Sequence, residues 1–346
     1  MIDESVVRRV LVGESTVLIL CVILFFLHGL WLFVSQRREK LLISGARETL
    51  AHLLTNGATA GESFEALRSL PRALQAGVFL EISQNLSGTG KERLRHIAEE
   101  VSLLSRARKF CRSRLWSRRL MGSRLLARMD VPDPVMEALL TDPHPAVRAQ
   151  AAEWAAAHPS VPVVIAILDL LADPETLARF AVKNSLFRMG PIVTGPLVRF
   201  LETRSGEAAE SGLVVAEALA GPAFLPAALR LSSSEEAPVR VAAARLLGAI
   251  GDASCATRLT SLLGDSDPDV RAISARGLGR MRHWQAASNL AKTMHDPAWR
   301  VRNEAALALR AIGGPGALFL RRALTENDLL AADMAQLVLD LPAAAG

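Results

Sequence analysis

The side chains best suited to acid–base, nucleophilic or metal chemistry are spread thinly along this chain of 346 residues. Its three cysteines lie far apart, with no pair at zinc-ligand spacing, and no Gly-x-Ser-x-Gly or dinucleotide fingerprint occurs. None of the histidines precedes a glutamate, so a paired His-Glu metal motif is missing. The histidines are His28, His52, His96, His144, His158, His283 and His295. The sequence therefore predicts a protein that is not an enzyme and needs no cofactor or metal.

A Gly-Thr-Gly-Lys stretch at residues 88–91 is the one candidate for a phosphate-binding loop. That motif needs glycine five residues before its second glycine, and serine or threonine after its lysine. Asn85 and Glu92 occupy those two positions, and no strand-like run precedes them. The stretch is predicted to be a turn between helices.

The most basic segment, residues 106–128, contains nine arginines and lysines and no acid. Such a face could attract anionic lipid headgroups, an acidic protein segment or nucleic acid. Nucleic acid is the weakest of these, because the segment lacks the interleaved aromatics of a stacking surface. The alternative is a solvated helix face that partly belongs to the architecture. The candidate binding residues are Arg106, Arg108, Lys109, Arg112, Arg114 and Arg118.

Arginine also recurs about every 31 residues through the C-terminal two-thirds of the chain. An aspartate stands six residues before four of these positions, and a glycine stands eleven residues after four of them. A period of 20–50 residues is typical of a solenoid, whose units stack because none can bury its apolar face alone. The recurring position falls on Arg119, Arg148, Arg179, Glu210, Arg240, Arg271 and Arg302; the aspartates are Asp142, Asp173, Asp265 and Asp296; the glycines are Gly190, Gly221, Gly251 and Gly313.

Each period contains two segments with the apolar spacing of an amphipathic helix, as in residues 253–263 and 267–281. Asp267 and Pro268 are typical of a helix N-cap and first turn. The glycines eleven residues after the arginines suit helix C-caps, which need a positive φ. No stretch shows the sustained alternation of a strand. The sequence predicts an all-α solenoid of helix pairs.

Three of these segments, Asp142–Arg148, Asp265–Arg271 and Asp296–Arg302, resemble HEAT repeats of the short bacterial type, the HEAT-like repeats of the phycobilin-lyase class. The resemblance covers roughly residues 112–346. It implies that the recurring aspartates and arginines hydrogen-bond along the stack and tie neighbouring repeats together. It implies little about function, because such arrays serve as scaffolds, regulators, nucleic-acid binders and occasionally enzymes.

A second basic series falls on the second helices of five pairs, about twenty residues after the recurring positions from 179 to 302. In HEAT-like stacks the second helices line the concave side, and solenoids hold extended partners on such surfaces. The alternative is one exposed position per repeat in an arginine-rich protein. The residues of this series are Arg199, Arg230, Arg258, Lys292 and Arg322.

The N-terminal region contains 22 uncharged residues, at positions 15–36. A helix of that length spans a hydrocarbon core of about 30 Å. Trp31 and Phe33 lie near its end, where amphipathic aromatics favour the interface. A cleaved signal peptide is disfavoured, because the run is long and no Ala-x-Ala site follows. The sequence predicts an uncleaved transmembrane helix.

Charge and composition predict the setting of this helix. Four basic residues flank its C-terminal side and two its N-terminal side, which places the C-terminal domain in the cytoplasm. The cysteines form no disulfide framework, in agreement with that placement. Arginine strongly outnumbers the five lysines, a composition associated with bacteria of high GC content. We therefore expect a single-pass protein of a bacterial inner membrane.

The predicted organisation is an N-terminal tail (1–14), a transmembrane helix (15–36), a helical capping region (37–111) and a HEAT-like array (112–346). The favoured function is a scaffold that docks protein partners at the cytoplasmic face of the membrane, with the lipid bilayer as a second partner. The alternative is an enzyme, or enzyme subunit, of the HEAT-like lyase type with a pocket in the concave groove.

Overall fold

The computed structural model describes residues 4–56, 61–326 and 328–342, and over these residues its regular structure is entirely helical. The chain divides into two compact units, Met1–Asp133 and Pro134–Gly346. The boundary lies beyond residue 112, where the repeat pattern places the start of the array. The first array helix predicted from sequence thus belongs, by its contacts, to the first unit.

Over its described residues, the first unit contains one long helix and five shorter ones. α1 packs on α2, α3 and α4, and α6 packs on α3 and α5. Their bounds are α1 (Glu4–Asn56), α2 (Gly61–Arg68), α3 (Arg72–Ser83), α4 (Gly88–Glu100), α5 (Leu103–Cys111) and α6 (Trp116–Arg128). Gly88, tested above as part of a phosphate loop, begins α4, in line with the predicted turn.

Helix α1 runs without a break for 53 residues, about 80 Å at 1.5 Å per residue. The segments predicted as tail, transmembrane helix and start of the capping region are therefore one helix. Its C-terminal part packs through Ala46, Leu50 and Leu53, which are buried. Further towards the N-terminus, large apolar side chains such as Phe25 and Trp31 are exposed. Within the described chain, Leu20–Thr55 is the one stretch long and apolar enough to cross a membrane.

The second unit is a series of helix pairs joined by short turns. Its helices are α7 (Pro134–Ala138), α8 (Pro145–Ala155), α9 (Val161–Asp169), α10 (Thr176–Met189), α11 (Thr194–Thr203), α12 (Gly206–Leu219), α13 (Leu225–Leu231), α14 (Ala237–Ile250), α15 (Ala253–Leu262), α16 (Pro268–Arg280), α17 (Ala287–Thr293), α18 (Trp299–Ile312), α19 (Gly314–Ala323) and α20 (Leu329–Asp340). Short 3-10 turns lie at Leu139–Thr141, Leu170–Ala172, Gly190–Val193, Pro222–Phe224 and Trp284–Ala286.

The pairs stack in two layers. The first helices, from α8 through the even numbers to α18, contact one another in succession, and α20 covers the end of that row. The second helices form the other row, in which α9 contacts α11, α11 contacts α13, α13 contacts α15, and α17 contacts α19. The core lies between the rows and is filled by leucine, valine and alanine. This arrangement is the solenoid that the 31-residue period predicts.

The helix ends follow the predicted chemistry with one exception. Asp267 caps α16 by accepting the N–H groups of Asp269 and Val270. Gly190, Gly251 and Gly313 have positive φ at the ends of α10, α14 and α18. The prediction is wrong for Gly221, whose φ is −84°, because the left-handed residue there is Ala220. The exception falls in the repeat that has Glu210 in place of arginine.

Candidate functional site

A ladder of arginine–aspartate pairs joins successive repeats. Arg271 donates Nε to Oδ2 of Asp296 at 2.6 Å and Nη2 to Oδ1 at 3.0 Å. Its Nη1 donates to the carbonyl of Asp265, six residues back, at 2.8 Å. One arginine therefore links the turn of its own repeat to the carboxylate of the next. Paired, partly buried ionic hydrogen bonds of this kind are short and geometrically specific.

The same geometry recurs in two further repeats. Arg240 donates Nε and Nη2 to Asp265 at 2.9 and 2.8 Å, and Arg148 donates Nη2 to Asp173 at 2.8 Å. Each arginine also donates to carbonyls of its own turn. The aspartates in turn accept a backbone N–H two residues on. The pairing thus runs from each arginine to an aspartate 25 residues later, while the residue six positions before the arginine contributes a backbone carbonyl. That residue is Asp142, Ser234 or Asp265.

The ladder changes at its centre. The residue 25 positions after Arg179 is Arg204 and not an aspartate. Arg179 pairs with Glu207 instead, at 3.1 Å. Arg204 pairs with Asp169 at 2.7 Å. The repeat that carries Glu210 therefore joins the preceding repeat through the exposed Glu207 and not through a buried aspartate.

The C-terminal end of the ladder is reached at Arg302. Its Nη1 donates to the carbonyls of Asp296 and Pro297 at 2.8 and 3.0 Å. Its buried Nε makes no hydrogen bond with any atom of the described residues. Asn327, 25 residues on, lies outside those residues. Asp142, the first aspartate of the series, is buried and accepts the N–H of His144 at 2.9 Å.

Two of the five basic residues predicted on the second helices are engaged in internal contacts. Arg230 donates to the carbonyl of Leu201, at the end of α11, and to that of Arg204 at 3.3 Å. Arg258 donates to the carbonyl of Ser232 at 3.0 Å, just past the end of α13. A cation at the carbonyl end of a helix stabilises it through unsatisfied acceptors and the helix dipole. Both arginines therefore support the preceding repeat.

The structure brings two of the other three together. Lys292 and Arg322 line a cleft of about 220 Å³ between α17 and α19, together with His295, Phe319 and Glu326. Arg322 lies 3.4 Å from Glu326, and Nδ1 of His295 donates to Oδ2 of Asp328 at 2.6 Å. Arg199 is exposed on α11 and is not among the residues of this cleft.

The basic segment of the first unit also divides into internal and exposed residues. Arg106 bonds the buried Gln75, and Arg108 bridges Asp133 at 2.7 Å and Glu99 at 3.2 Å. The remaining four candidates lie on the surface and form no ion pair with any residue that the structure describes. These four are Lys109, Arg112, Arg114 and Arg118.

A cleft on the row of first helices has no counterpart among the sites predicted from sequence. Its walls carry Arg245 from α14, Arg276 and Arg280 from α16, and Glu217 from α12, around a volume of about 190 Å³. The clue in the sequence is a set of glycines inside helices, where glycine is normally unfavourable. Among these, Gly248 is so close to α16 that a Cβ would lie 2.9 Å from the Cα of Gly277.

Groups suited to metal or thiol chemistry are not assembled in the part of the chain that the structure describes. Those residues contain no group of three or more His, Cys, Asp or Glu side chains placed to hold a metal ion. Cys111 and Cys255 are buried thiols. Burial raises the pKa of the Cys111 thiol to about 12 and also raises that of Cys255, which keeps both protonated and unreactive near neutral pH.

Comparison with known proteins agrees with this geometry. A family model of HEAT repeats matches residues 221–292 and 256–339. The sequence matches none of the curated proteins compared with it.

Similar solved structures include an engineered protein, with 20% identity over 85% of this chain and 98% of that protein, at a TM-score of 0.41. Kap121p has 13% identity over 88% of this chain and 46% of its own, at 0.43. Kap95p, from a study of how its binding affects the switch loops of RanGDP, has 13% identity over 86% of this chain and 52% of its own, at 0.49.

This chain thus spans about half the length of Kap121p and Kap95p. Because all three TM-scores are below 0.5, these similarities carry no argument about fold or function. The fold is defined by the helices of this chain and by the residues that the HEAT-repeat model matches. Residues 221–339 match the HEAT-repeat model, and they form part of an all-α solenoid.

Proposed function

We propose that this protein is a membrane-anchored, non-catalytic scaffold whose HEAT-repeat array docks protein partners at the cytoplasmic face of a bacterial inner membrane. HEAT repeats support the scaffold role, because stacked helix pairs present long surfaces to extended partners. The bacterial setting is supported by the arginine-rich, lysine-poor composition.

The observation that supports a membrane anchor is the exposed apolar part of α1. Phe25, Phe26 and Trp31 are 75%, 71% and 63% exposed, although their helix continues into the core of the first unit at Leu50. Each large apolar side chain left in water forgoes about 1.5–3 kcal/mol of burial. A bilayer core of about 30 Å would bury some 20 residues of such a helix.

The orientation is supported by the basic residues that follow the apolar stretch. Arg37, Arg38 and Lys40 come directly after it, and Arg47 lies about two further turns along α1. Positive residues near a transmembrane helix favour the cytoplasmic side. Arg47 is also held in the first unit by Glu81, at 2.6 Å.

Membrane extraction followed by cysteine labelling tests the anchor and the orientation. Cys111 and Cys255 are buried and have raised pKa values, so neither should react readily with a maleimide. In a chain with Cys21→Ser, the exposed probe substitution Ser266→Cys therefore provides the one reactive thiol among the described residues. We expect detergent, but not alkaline carbonate, to release the protein. The probe should react with an impermeant maleimide only after the inner membrane is permeabilised. Release by carbonate would overturn the anchor, and labelling in intact spheroplasts would overturn the orientation.

The scaffold role is tested by crosslinking in solubilised membranes. Chains with a photo-crosslinking residue at Arg199 or Lys292 should each yield one recurring protein adduct, identified by mass spectrometry. A chain truncated after α1 provides the background. Adducts indistinguishable from that background at every probed position of the array would contradict a docking role.

A further inference from the structure

Two clefts run along the row of first helices, on either side of α16. The first, between α14 and α16, has a volume of about 190 Å³. The second, between α16 and α18, has a volume of about 360 Å³ and is lined by Leu307, Ala308 and Ala311. Arg276 and Arg280 line both clefts. These two arginines of α16 therefore lie between the two clefts.

The floor of both clefts is made by residues with little or no side chain. A Cβ on Gly248 would lie 2.9 Å from the Cα of Gly277, and one on Gly279 would lie 2.7 Å from the Cα of Ala308. Cβ atoms do not tolerate such distances from backbone atoms. Helices α14, α16 and α18 therefore pack with their backbones in contact. This close packing leaves open space above the contact, and arginine side chains line the edge of that space.

The charges at the rim are arranged to receive an anion. Glu304 is buried and accepts Nε of Arg276 at 2.9 Å, with a second bond from Nη2, so this guanidinium is held in place. Arg245 and Arg280 are exposed and form no ion pair within the described chain. The remaining acid at the rim of the first cleft is Glu217. Guanidinium groups bind carboxylates through two parallel hydrogen bonds, so two cations are available for a ligand.

We propose that these two clefts together bind an extended, acidic segment of a protein partner, in which glutamate or aspartate alternates with small or apolar residues. This inference rests on the scaffold function proposed above and names the chemistry of its partner. The two available cations lie on neighbouring helices, Arg245 on α14 and Arg280 on α16, so a ligand that reaches both must cross from one helix to the next. In an extended chain, alternate side chains point to the same side at a spacing of about 6.6 Å, which lets two carboxylates of one segment face the cleft together.

The second cleft adds an apolar wall beside Arg280. Leu307, Ala308 and Ala311 form that wall, against which the methylene groups of a glutamate bound to Arg280 pack. The residues between the acids of an extended segment point away from the clefts, so small side chains suit those positions. A nucleic acid fits less well, because neither cleft is lined by an aromatic side chain on which a base could stack.

Fluorescence anisotropy with the full-length protein in detergent tests the proposal. The probe is a fluorescein-labelled (Glu-Ala)5 peptide, compared with (Lys-Ala)5 and with a ten-nucleotide oligo-dT. We expect the acidic peptide alone to bind at low salt and to be released as salt rises. The double variant Arg245→Glu/Arg280→Glu should bind it at least about tenfold more weakly, since it replaces two ionic hydrogen bonds by repulsion.

Two further variants separate the clefts from the net charge of the protein. Arg188→Glu/Arg321→Glu makes the same change of charge on exposed residues outside both clefts, and should bind like the unaltered protein. Ala311→Trp fills the second cleft without a change of charge and should weaken binding severalfold. Circular dichroism and thermal melting verify that each variant is folded.

The outcomes distinguish this proposal from the scaffold function. Equal loss of binding in both charge-reversal variants, or tighter binding of oligo-dT than of the acidic peptide, would overturn the acidic-segment site. A crosslinked partner retained equally by Arg245→Glu/Arg280→Glu would overturn it as well, while leaving the scaffold intact. Specific binding of the peptide to a protein that crosslinks to no partner in membranes would support the site and count against the scaffold.

Discussion

Arg271 and Asp296 lie in successive repeats, yet their side chains form two parallel hydrogen bonds of 2.6 and 3.0 Å. The guanidinium and the carboxylate are 14% and 9% exposed, so water competes weakly for either group. Because Nη1 of Arg271 also holds the carbonyl of Asp265, the contact sets how one turn sits on the next. Two further pairs repeat this arrangement, which makes it the main polar link of the array.

Removal of one ladder arginine should destabilise the protein measurably. Arg271→Ala leaves the Asp296 carboxylate partly buried without its partner, and we expect a loss of about 1–3 kcal/mol in the free energy of unfolding. Arg271→Lys should recover part of that loss, since lysine restores the charge but not the paired geometry.

Thermal or urea unfolding measures this effect, with Arg300→Ala as the matched control. Arg300 pairs with Asp269, but both side chains are about half exposed. Exposed pairs contribute little, so the control should cost at most about 0.5 kcal/mol. Equal effects of the two alanine variants would show that the ladder has no special role in stability.

Stability should also fall when the ladder aspartates are protonated. Burial opposes the charge on Asp296, but hydrogen bonds from Arg271 and from the N–H of Ala298 outweigh it, so the pKa of this carboxyl lies below its usual value. The pKa values of Asp173 and Asp265 are lowered by the same balance of causes. A lowered pKa contributes stability that is present above the unfolded value of about 3.9 and is lost as pH falls through the folded value.

Thermal melts between about pH 7 and pH 2 check this expectation. The unaltered protein should lose stability mainly below about pH 4. Asp265→Asn/Asp296→Asn should melt at a lower temperature at pH 7 and show a shallower decline at acid pH, because its two ladder positions no longer titrate. A variant with an unchanged acid slope would contradict the assignment.

The close approach of α16 and α18 should make Gly279 intolerant of a side chain. Gly279→Ala places a Cβ 2.7 Å from the Cα of Ala308, and overpacking of this kind costs about 1–3 kcal/mol. Gly77, in the middle of α3, has no atom of another side chain within 4 Å of the place a Cβ would take, so Gly77→Ala should stabilise by about 0.5–1 kcal/mol. Melting temperatures that shift in the same direction for both variants would argue against the contact.

The exposed basic residues of the first unit should bind anionic lipid. A fragment from residue 38 keeps the buried residues of α1 and lacks most of its apolar stretch. Each basic residue near an anionic surface contributes about 1 kcal/mol. Charge reversal at Arg112, Arg114 and Arg118 should therefore weaken binding to anionic vesicles by roughly a hundredfold.

Vesicle sedimentation measures that binding, which should disappear in high salt and on neutral vesicles. A control fragment with Arg199, Arg321 and Arg322 reversed carries the same net charge. If it loses binding to the same extent, the effect belongs to the overall charge and not to the basic segment.

The order of residues by itself determined the class of fold, the repeat length and several helix ends. A 31-residue period repeats a local pattern, and local patterns are set by contacts within one or two turns of helix. Asp267 caps α16 for that reason, and Gly190, Gly251 and Gly313 end their helices with positive φ. Gly221 departs from the pattern because the repeat that has Glu210 in place of arginine ends its helix one residue earlier, at Ala220.

The tertiary structure alone decided which of the chemically identical arginines are internal and which are available to a partner. Arg271 and Arg276 lie on the same helix, yet one bonds Asp296 and the other Glu304, 25 and 28 residues away. Arg258 is engaged at the end of α13, while Arg280 stands free of ion pairs within the described chain at the rim of a cleft. These assignments depend on how closely neighbouring helices pack and how each is rotated. Those quantities follow from side-chain volumes across the interface, such as the glycines of α14 and α16, and not from the local pattern.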